Sequence, residues 1–234
     1  MKLKSLREEV FEANQELVKH DLVVFTFGNA SGYDRASGLV VIKPSGVPYE
    51  TMKPDDLVIT DIEGKLVEGT LRPSSDLATH LALYRAFEGV NGVAHTHSRY
   101  ATAWAQAGQE IPCLGTTHAD YFRGAVPATE EMQAHDIESE YEWNTGQAIV
   151  RRFAKLDPLG TMAVLVAGHG PFCWGETAKD AAHHAVILEE LAHMAYLTFT
   201  LRADARGISE TLRDKHFLRK HGATAYYGQK AGGS

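Results

Sequence analysis

Two histidines separated by one residue, His95-Thr96-His97, are the chain's clearest chemical signal. In an extended strand, residues i and i+2 project from the same face, so both imidazoles converge on one point. Neutral imidazole nitrogen is a preferred donor for zinc and its neighbours. Three protein ligands plus an open position mark a catalytic metal site. A third ligand must come from elsewhere in the chain. His169 lies between Gly168 and Gly170, where the backbone can turn while the imidazole faces a cleft. His80, one helical turn from Asp76, and His118 are rival candidates. His183, His184 and His193 fall on a long helical pattern and read as packing or solvent-facing groups. Histidine is abundant overall, with 12 in 234 residues.

A second set of residues suits an anion. Ser74 and Ser75 stand where a helix should begin, and free N–H groups and the helix dipole favour negative charge there. Ser45-Gly46 offers a second tight turn with a hydroxyl and an exposed N–H. Asn29 sits in a Gly-rich segment and Lys43 adds positive charge. Together these residues compose a phosphate pocket if the turns meet, which spacing alone does not establish.

The elements that must position these groups follow from periodicity. Leu3, Leu6, Val10, Ala13 and Leu17 predict an amphipathic helix over 3–19. Residues 22–27 read as a strand ending in a turn-forming cluster, Gly28-Asn29-Ala30-Ser31-Gly32. Strands are expected at 39–42, 57–60, 92–96 and 162–167, with a turn at Glu63-Gly64. Helices are expected over 77–87, after a cap at Ser98 to near Gly108, once or twice within 130–155, and over 178–200. In the last of these, Ala181, Ala185, Leu188, Ala192 and Ala195 form a small-residue stripe suited to close packing. Several strand connections lack helices, so the sheet should be partly antiparallel within one α/β domain.

Composition narrows the classes. The 44% apolar and 23% charged content is that of a globular domain large enough to fold without a metal or disulfide. A net charge of −7 argues against broad nucleic-acid or anionic-membrane binding. Two cysteines, Cys113 and Cys173, exclude a disulfide scaffold and favour a cytoplasmic location. No apolar run is long enough for a membrane span, and the N-terminal segment is too charged for a signal peptide. The expected domain is 1–230, followed by a flexible tail over 231–234.

These residues match a known pattern. The stretches TFGNASGYDR, VIKPSGVPYE, VEGTLRPSSDLATH, VAHTHSRYATAWAQAG, TTHADYF, EYEWNTG, HGPFCWG and DKHFLRKHGATAYYGQ occur in order. On them, the chain resembles the L-ribulose-5-phosphate 4-epimerases of the class II aldolase/epimerase superfamily, from about Leu6 to Gln229. The resemblance implies a single three-layer α/β/α domain around a mainly antiparallel central sheet. It also implies a homotetramer with active sites at subunit interfaces. It makes His95, His97 and His169 ligands of Zn2+, or of another divalent metal such as Mn2+, with Asp76 as an acidic fourth. Gly28, Asn29, Lys43, Ser45, Gly46, Ser74 and Ser75 become substrate and phosphate contacts. Asp120 and Tyr227 become the acid/base pair, and His216 and Arg219 help close the site. Gly168 departs from the small polar residue expected before the third histidine, which could remove a hydrogen bond that supports that ligand.

The implied chemistry is inversion at a carbon whose C–H bond is not acidic. Cleavage between carbons 3 and 4 of L-ribulose 5-phosphate gives an enediolate and glycolaldehyde phosphate. The aldehyde rotates, and re-addition gives D-xylulose 5-phosphate. The nearest alternative is an aldolase of the same superfamily, such as one acting on L-fuculose 1-phosphate. A non-catalytic interaction module on this fold, like the head domain of adducin, is opposed by the retained histidines, Asp76, Asp120 and Tyr227.

Overall fold

The computed structural model describes residues 3–222 and 225–226. Helix α1 (Lys4–Lys19) leads into strands β1 (Asn29–Asp34), β2 (Leu39–Ile42), β3 (Val58–Asp61) and β4 (Leu66–Glu68). Helix α2 (Leu77–Ala86), strand β5 (Gly92–His95) and helix α3 (Arg99–Gln106) follow. Three helices come next: α4 (Thr116–Ala119), α5 (Ala134–Glu138) and α6 (Tyr141–Arg152). Strands β6 (Ala163–Val166) and β7 (Gly170–Gly175), then helices α7 (Ala178–Leu201) and α8 (Glu210–His221), complete the order.

The seven strands form one sheet in the order β4-β3-β2-β1-β5-β7-β6, antiparallel at every pairing. Helices cover both faces, and adjacent residues of β1 show how. The Ser31 hydroxyl meets His80 Nδ1 of α2 at 2.7 Å and the Tyr84 hydroxyl at 2.6 Å. Its neighbour Gly32 faces the other way, where an added Cβ would lie 2.8 Å from both Leu6 and Val10 of α1. Helices α1, α3 and α7 pack together on that side, and α2 packs against α6 on the opposite side. The small-residue stripe of α7 is buried as the sequence predicts. His184 is buried with its Nδ1 at 2.8 Å from the Trp174 carbonyl, His183 is exposed, and His193 stacks on Tyr100. Both cysteines are buried and unpaired. Among the described residues, no helix is long and apolar enough to cross a membrane.

Two readings need correction at the start of the sheet. Residues 22–27 are not a strand, because Asp21 and Phe25 adopt left-handed φ of 55° and break the extended run. Val24, Phe25 and Phe27 are left exposed. The expected turn residues Asn29 to Gly32 instead belong to β1, whose small side chains let helices approach from both faces. Ser98 precedes α3 without a side-chain capping bond. The Glu189 carboxylate of α7 accepts from the Tyr100 and Ala101 N–H groups at 2.8 and 2.9 Å instead, satisfying the same donors from across the fold. Strand β4, strand β7 and helix α8 carry no separate signal in the periodic reading.

Gly92 is the tightest glycine in the sheet, paired with Gly32 of β1 and Gly175 of β7. A Cβ there would stand 2.0 Å from the Thr177 carbonyl oxygen, at the start of α7. Gly92→Ala is expected to destabilise the fold by about 3 kcal/mol or to prevent folding, as backbone must shift to admit the methyl group. Gly115→Ala, where an added Cβ meets nothing within 4 Å, should stay within about 0.5 kcal/mol of the parent. Equal denaturant midpoints for the two variants would refute this account of the β5–α7 junction.

Candidate active site

His95 ends β5, and His97 follows where the strand gives way to α3. Strand pairing sets His95 opposite Asn29 on one side and Phe172 on the other. The third imidazole arrives by a hairpin. Strands β6 and β7 are joined through Ala167-Gly168-His169, with the His169 N–H on the Val166 carbonyl at 3.0 Å. Gly168 takes φ +70°, a conformation that L side chains rarely adopt, so this tight return favours glycine. The donor atoms of His95, His97 and His169 then lie within 4.8 Å of one another.

Orientation of the first ligand is fixed. His95 Nδ1 lies 2.9 Å from the Pro171 carbonyl, which can only accept, so Nδ1 carries the proton and Nε2 keeps its lone pair. That Nε2 is 3.1 Å from His97 Nε2. Two nitrogens about 2.0–2.1 Å from one tetrahedral ion stand roughly 3.4 Å apart, so the donors fit a divalent metal. His95 also stacks on Phe172, with ring centroids 4.1 Å apart. Burial, reinforced by the neighbouring imidazoles, lowers the His169 pKa to about 4 and moves His97 in the same direction. Both are therefore neutral near pH 7, the form that donates to metals.

The two anion-binding turns do meet. The Ser45 N–H donates to the Arg72 carbonyl at 2.9 Å, and the Ser74 N–H to the Lys43 carbonyl at 3.0 Å. These bonds draw 43–46 and 72–75 side by side. Both turns, Asn29, Asp76 and the three histidines line one cavity of about 370 Å³. Gly28 reaches it with φ +78° while passing so close to β5 that a Cβ would lie 2.8 Å from the His95 carbonyl oxygen. Lys43 is buried, with Nζ donating to the Val47 carbonyl at 2.9 Å, and burial lowers its pKa to about 8.

Asp76 stands at the N-terminal boundary of α2, without a side-chain capping bond, on the cavity wall and outside the cluster of histidine donors. Its Oδ2 accepts from Asn29 Nδ2 at 2.6 Å, and the same amide donates to Ser74 Oγ at 3.0 Å. Burial opposes ionisation of Asp76, but His95, His80 and the Asn29 bond outweigh it and hold the carboxyl below its usual range. Asn29 Oδ1 is buried without a protein partner among the described residues, leaving an acceptor for a ligand hydroxyl.

The rival histidines go elsewhere. His118 is buried, with Nε2 at 2.7 Å from the Gly124 carbonyl. His80 is buried beneath the site, held by Ser31 and edge-on to Phe172. The remaining expected residues form a separate cluster. The Asp120 carboxylate accepts from Arg219 Nε and Nη2 at 3.1 and 2.7 Å, and its Oδ1 is 3.0 Å from His216 Nδ1. Burial works against ionisation there, and the bonds from Arg219 and His216 overcome it, so the Asp120 carboxyl also sits low. None of Asp120, His216 or Arg219 lines the histidine cavity of its own chain. Tyr227 lies outside the described residues. Thr26, Phe27, Tyr141 and Glu142 line the cavity too. They carry no ligand spacing, although TFGNASGYDR contains the first two and EYEWNTG the last two.

This fold and donor set are those of a metal-dependent sugar-phosphate enzyme, and the chain belongs to the family described as Class II Aldolase and Adducin N-terminal domain, which matches residues 8–196. Among its relatives, the L-ribulose-5-phosphate 4-epimerase UlaF of Salmonella paratyphi A is 54% identical over 228 residues, covering 97% of this chain and 100% of that one. A solved L-fuculose 1-phosphate aldolase superposes with a TM-score of 0.76 at 26% identity, covering 91% of this chain and 94% of its own. The L-fuculose-1-phosphate aldolase of Thermus thermophilus, at 23% identity and TM-score 0.65, shares the fold over 87% of this chain and 98% of its own.

His80 makes the protein acid-sensitive in a defined window. Burial lowers its pKa from 6.5 to about 3. The unfolded chain therefore binds a proton that the folded one refuses. His80's contribution to stability is complete above about pH 6.5 and is lost as the pH falls from there toward the folded value, at about 1.4 kcal/mol per pH unit. His80→Gln should be less stable than the parent at pH 7, and the gap should shrink by about 2 kcal/mol by pH 5. Urea unfolding at both pH values checks this, and a constant gap would assign the acid sensitivity to other groups.

Proposed function

We propose that the protein is a metal-dependent L-ribulose-5-phosphate 4-epimerase, acting by carbon–carbon cleavage, aldehyde rotation and re-addition. The observation that carries this reading is the single cavity uniting three imidazoles with two serine-bearing turns. The 54% identity to an L-ribulose-5-phosphate 4-epimerase supports the substrate. The structural neighbour that is an L-fuculose 1-phosphate aldolase shares the cleavage chemistry at greater distance.

Zn2+ or Mn2+ held by His95, His97 and His169 would supply Lewis-acid stabilisation of negative charge on the sugar oxygens. Uncharged ligands leave that positive charge nearly undiminished, and Asp76 tempers it from the cavity wall. The Ser45, Ser74 and Ser75 hydroxyls and the Gly46 and Ser75 N–H groups hold the phosphate, the Ser45 and Ser74 N–H groups being spent on the bonds that join the turns, and Lys43 adds charge close by. Their grip keeps the aldehyde fragment in place while it rotates, which separates an epimerase from an aldolase that releases it. Asn29 presents its free Oδ1 to a substrate hydroxyl while its amide fixes Asp76 and Ser74.

Inversion requires proton transfer on opposite faces of the aldehyde, and Asp120 and Tyr227 take those roles. Asp120 is held in its ionised form at neutral pH by Arg219 and His216, the form that a proton acceptor requires. Because its cluster lies outside the histidine cavity of its own chain, Asp120 serves the cavity of a neighbouring subunit. A homotetramer with a site at each interface meets that requirement. A cytoplasmic setting accords with a phosphorylated substrate.

Incubation with L-ribulose 5-phosphate should yield D-xylulose 5-phosphate with little free glycolaldehyde phosphate. Accumulation of glycolaldehyde phosphate would make the enzyme an aldolase, and no turnover with metal present would refute the substrate.

The shared site has its own test. Asp120→Asn and His97→Asn should each be nearly inactive, yet co-expressed in equal amounts they should recover about a quarter of parental activity. Half the Asp-bearing halves and half the metal-bearing halves are intact, and random mixing joins both in roughly one site in four. Verified mixed oligomers that stay inactive would place both residues at one chain's site or remove Asp120 from catalysis.

A further inference from the structure

The metal reading of the cavity leaves one question about the third ligand. His169 stands at a hairpin tip beside Gly168, which has no side chain to support it. His95 has the Pro171 carbonyl behind its ring. The group behind His169 is the Tyr141 hydroxyl, 3.3 Å from Nδ1, with the two ring centroids 6.0 Å apart. We infer that Tyr141 is the positioning residue for the third ligand, selecting the ring nitrogen that His169 offers to the metal.

Proton count fixes the polarity. A neutral imidazole carries one N–H. When Nε2 gives its lone pair to the metal, Nδ1 holds the hydrogen and donates it to Tyr141 Oη. The tyrosine O–H is then free of His169 and can donate elsewhere. The opposite polarity, with the O–H donating to Nδ1, would put a hydrogen on Nε2 and block ligation.

Tyr141 is fixed firmly enough for this task. It opens α6, and Thr145 Oγ1 donates to its carbonyl at 2.9 Å. The next residue, Glu142, is tied to α2 by the Thr79 hydroxyl on its carbonyl at 2.6 Å. One turn on, Gly146 lies so close to α2 that an added Cβ would come within 2.5 Å of the Ala82 methyl. The first turn of α6 is thus pinned to α2, the helix that follows Asp76. The oxygen behind His169 is set by helix packing and not by the hairpin that carries the ligand. Partners of this kind typically change metal affinity 10- to 100-fold.

This inference rests on the three histidines being the metal site, and the test separates the two claims. Metal-free parent and Tyr141→Phe are titrated with zinc against a chromophoric chelator, and the thermal midpoint of each metal-free protein is recorded. Phenylalanine keeps the ring and removes only the oxygen. The expected result is zinc affinity at least tenfold weaker in Tyr141→Phe, with an unchanged metal-free midpoint. Affinities within twofold would overturn the role of Tyr141 while leaving the site intact. A parent that binds no zinc stoichiometrically would overturn the metal reading itself. A metal-free midpoint that falls along with affinity would make Tyr141 a structural residue and overturn its positioning role.

Discussion

The site depends on the antiparallel register of β1, β5 and β7. That register sets Asn29 beside His95, and His95 beside Phe172, three residues beyond His169. Because side chains alternate along a strand, a slip of one residue would turn His95 to the opposite face and take Asn29 away from Asp76. Glycines hold the register by letting neighbours come close. Gly92 admits the start of α7, and Gly28 lets the chain pass against the His95 carbonyl. Asn29 and His95 are therefore carried by the most constrained part of the sheet.

Around that frame, burial sets the charge state of each group. Imidazoles withdrawn from water stay neutral and donate lone pairs. Asp76, in the same surroundings, is held below the usual carboxylate range although burial opposes its charge, with the Asn29 amide donating to it. Lys43, also buried and held by backbone carbonyls, binds its proton less tightly than an exposed lysine. A phosphate group would restore that affinity.

The Asp120 cluster has a different character. Its residues come from the turn after α4 and from α8, far apart in sequence but packed together. Arg219 and His216 fix the carboxylate so that both oxygens are oriented before any substrate arrives. Such an arrangement costs little reorganisation on binding.

The sequence by itself determined the pieces that local chemistry dictates. His95-Thr96-His97, the glycines about His169, the serines ahead of α2 and the alanine stripe of α7 were all legible, because strand alternation, helix periodicity and turn preference act over a few residues. The motif runs carried the family as well. Only the tertiary structure decided which pieces meet. It chose His169 over His80 and His118, joined the Ser45 and Ser74 turns through two backbone hydrogen bonds, and left Asp76 on the wall held by Asn29. It also made a strand of Asn29 to Gly32 and not of residues 22–27, since helix packing on both faces of β1 outweighs local β-propensity. Tyr141 was invisible for the same reason. Its value lies in a helix pinned against α2, and no spacing along the chain encodes that contact.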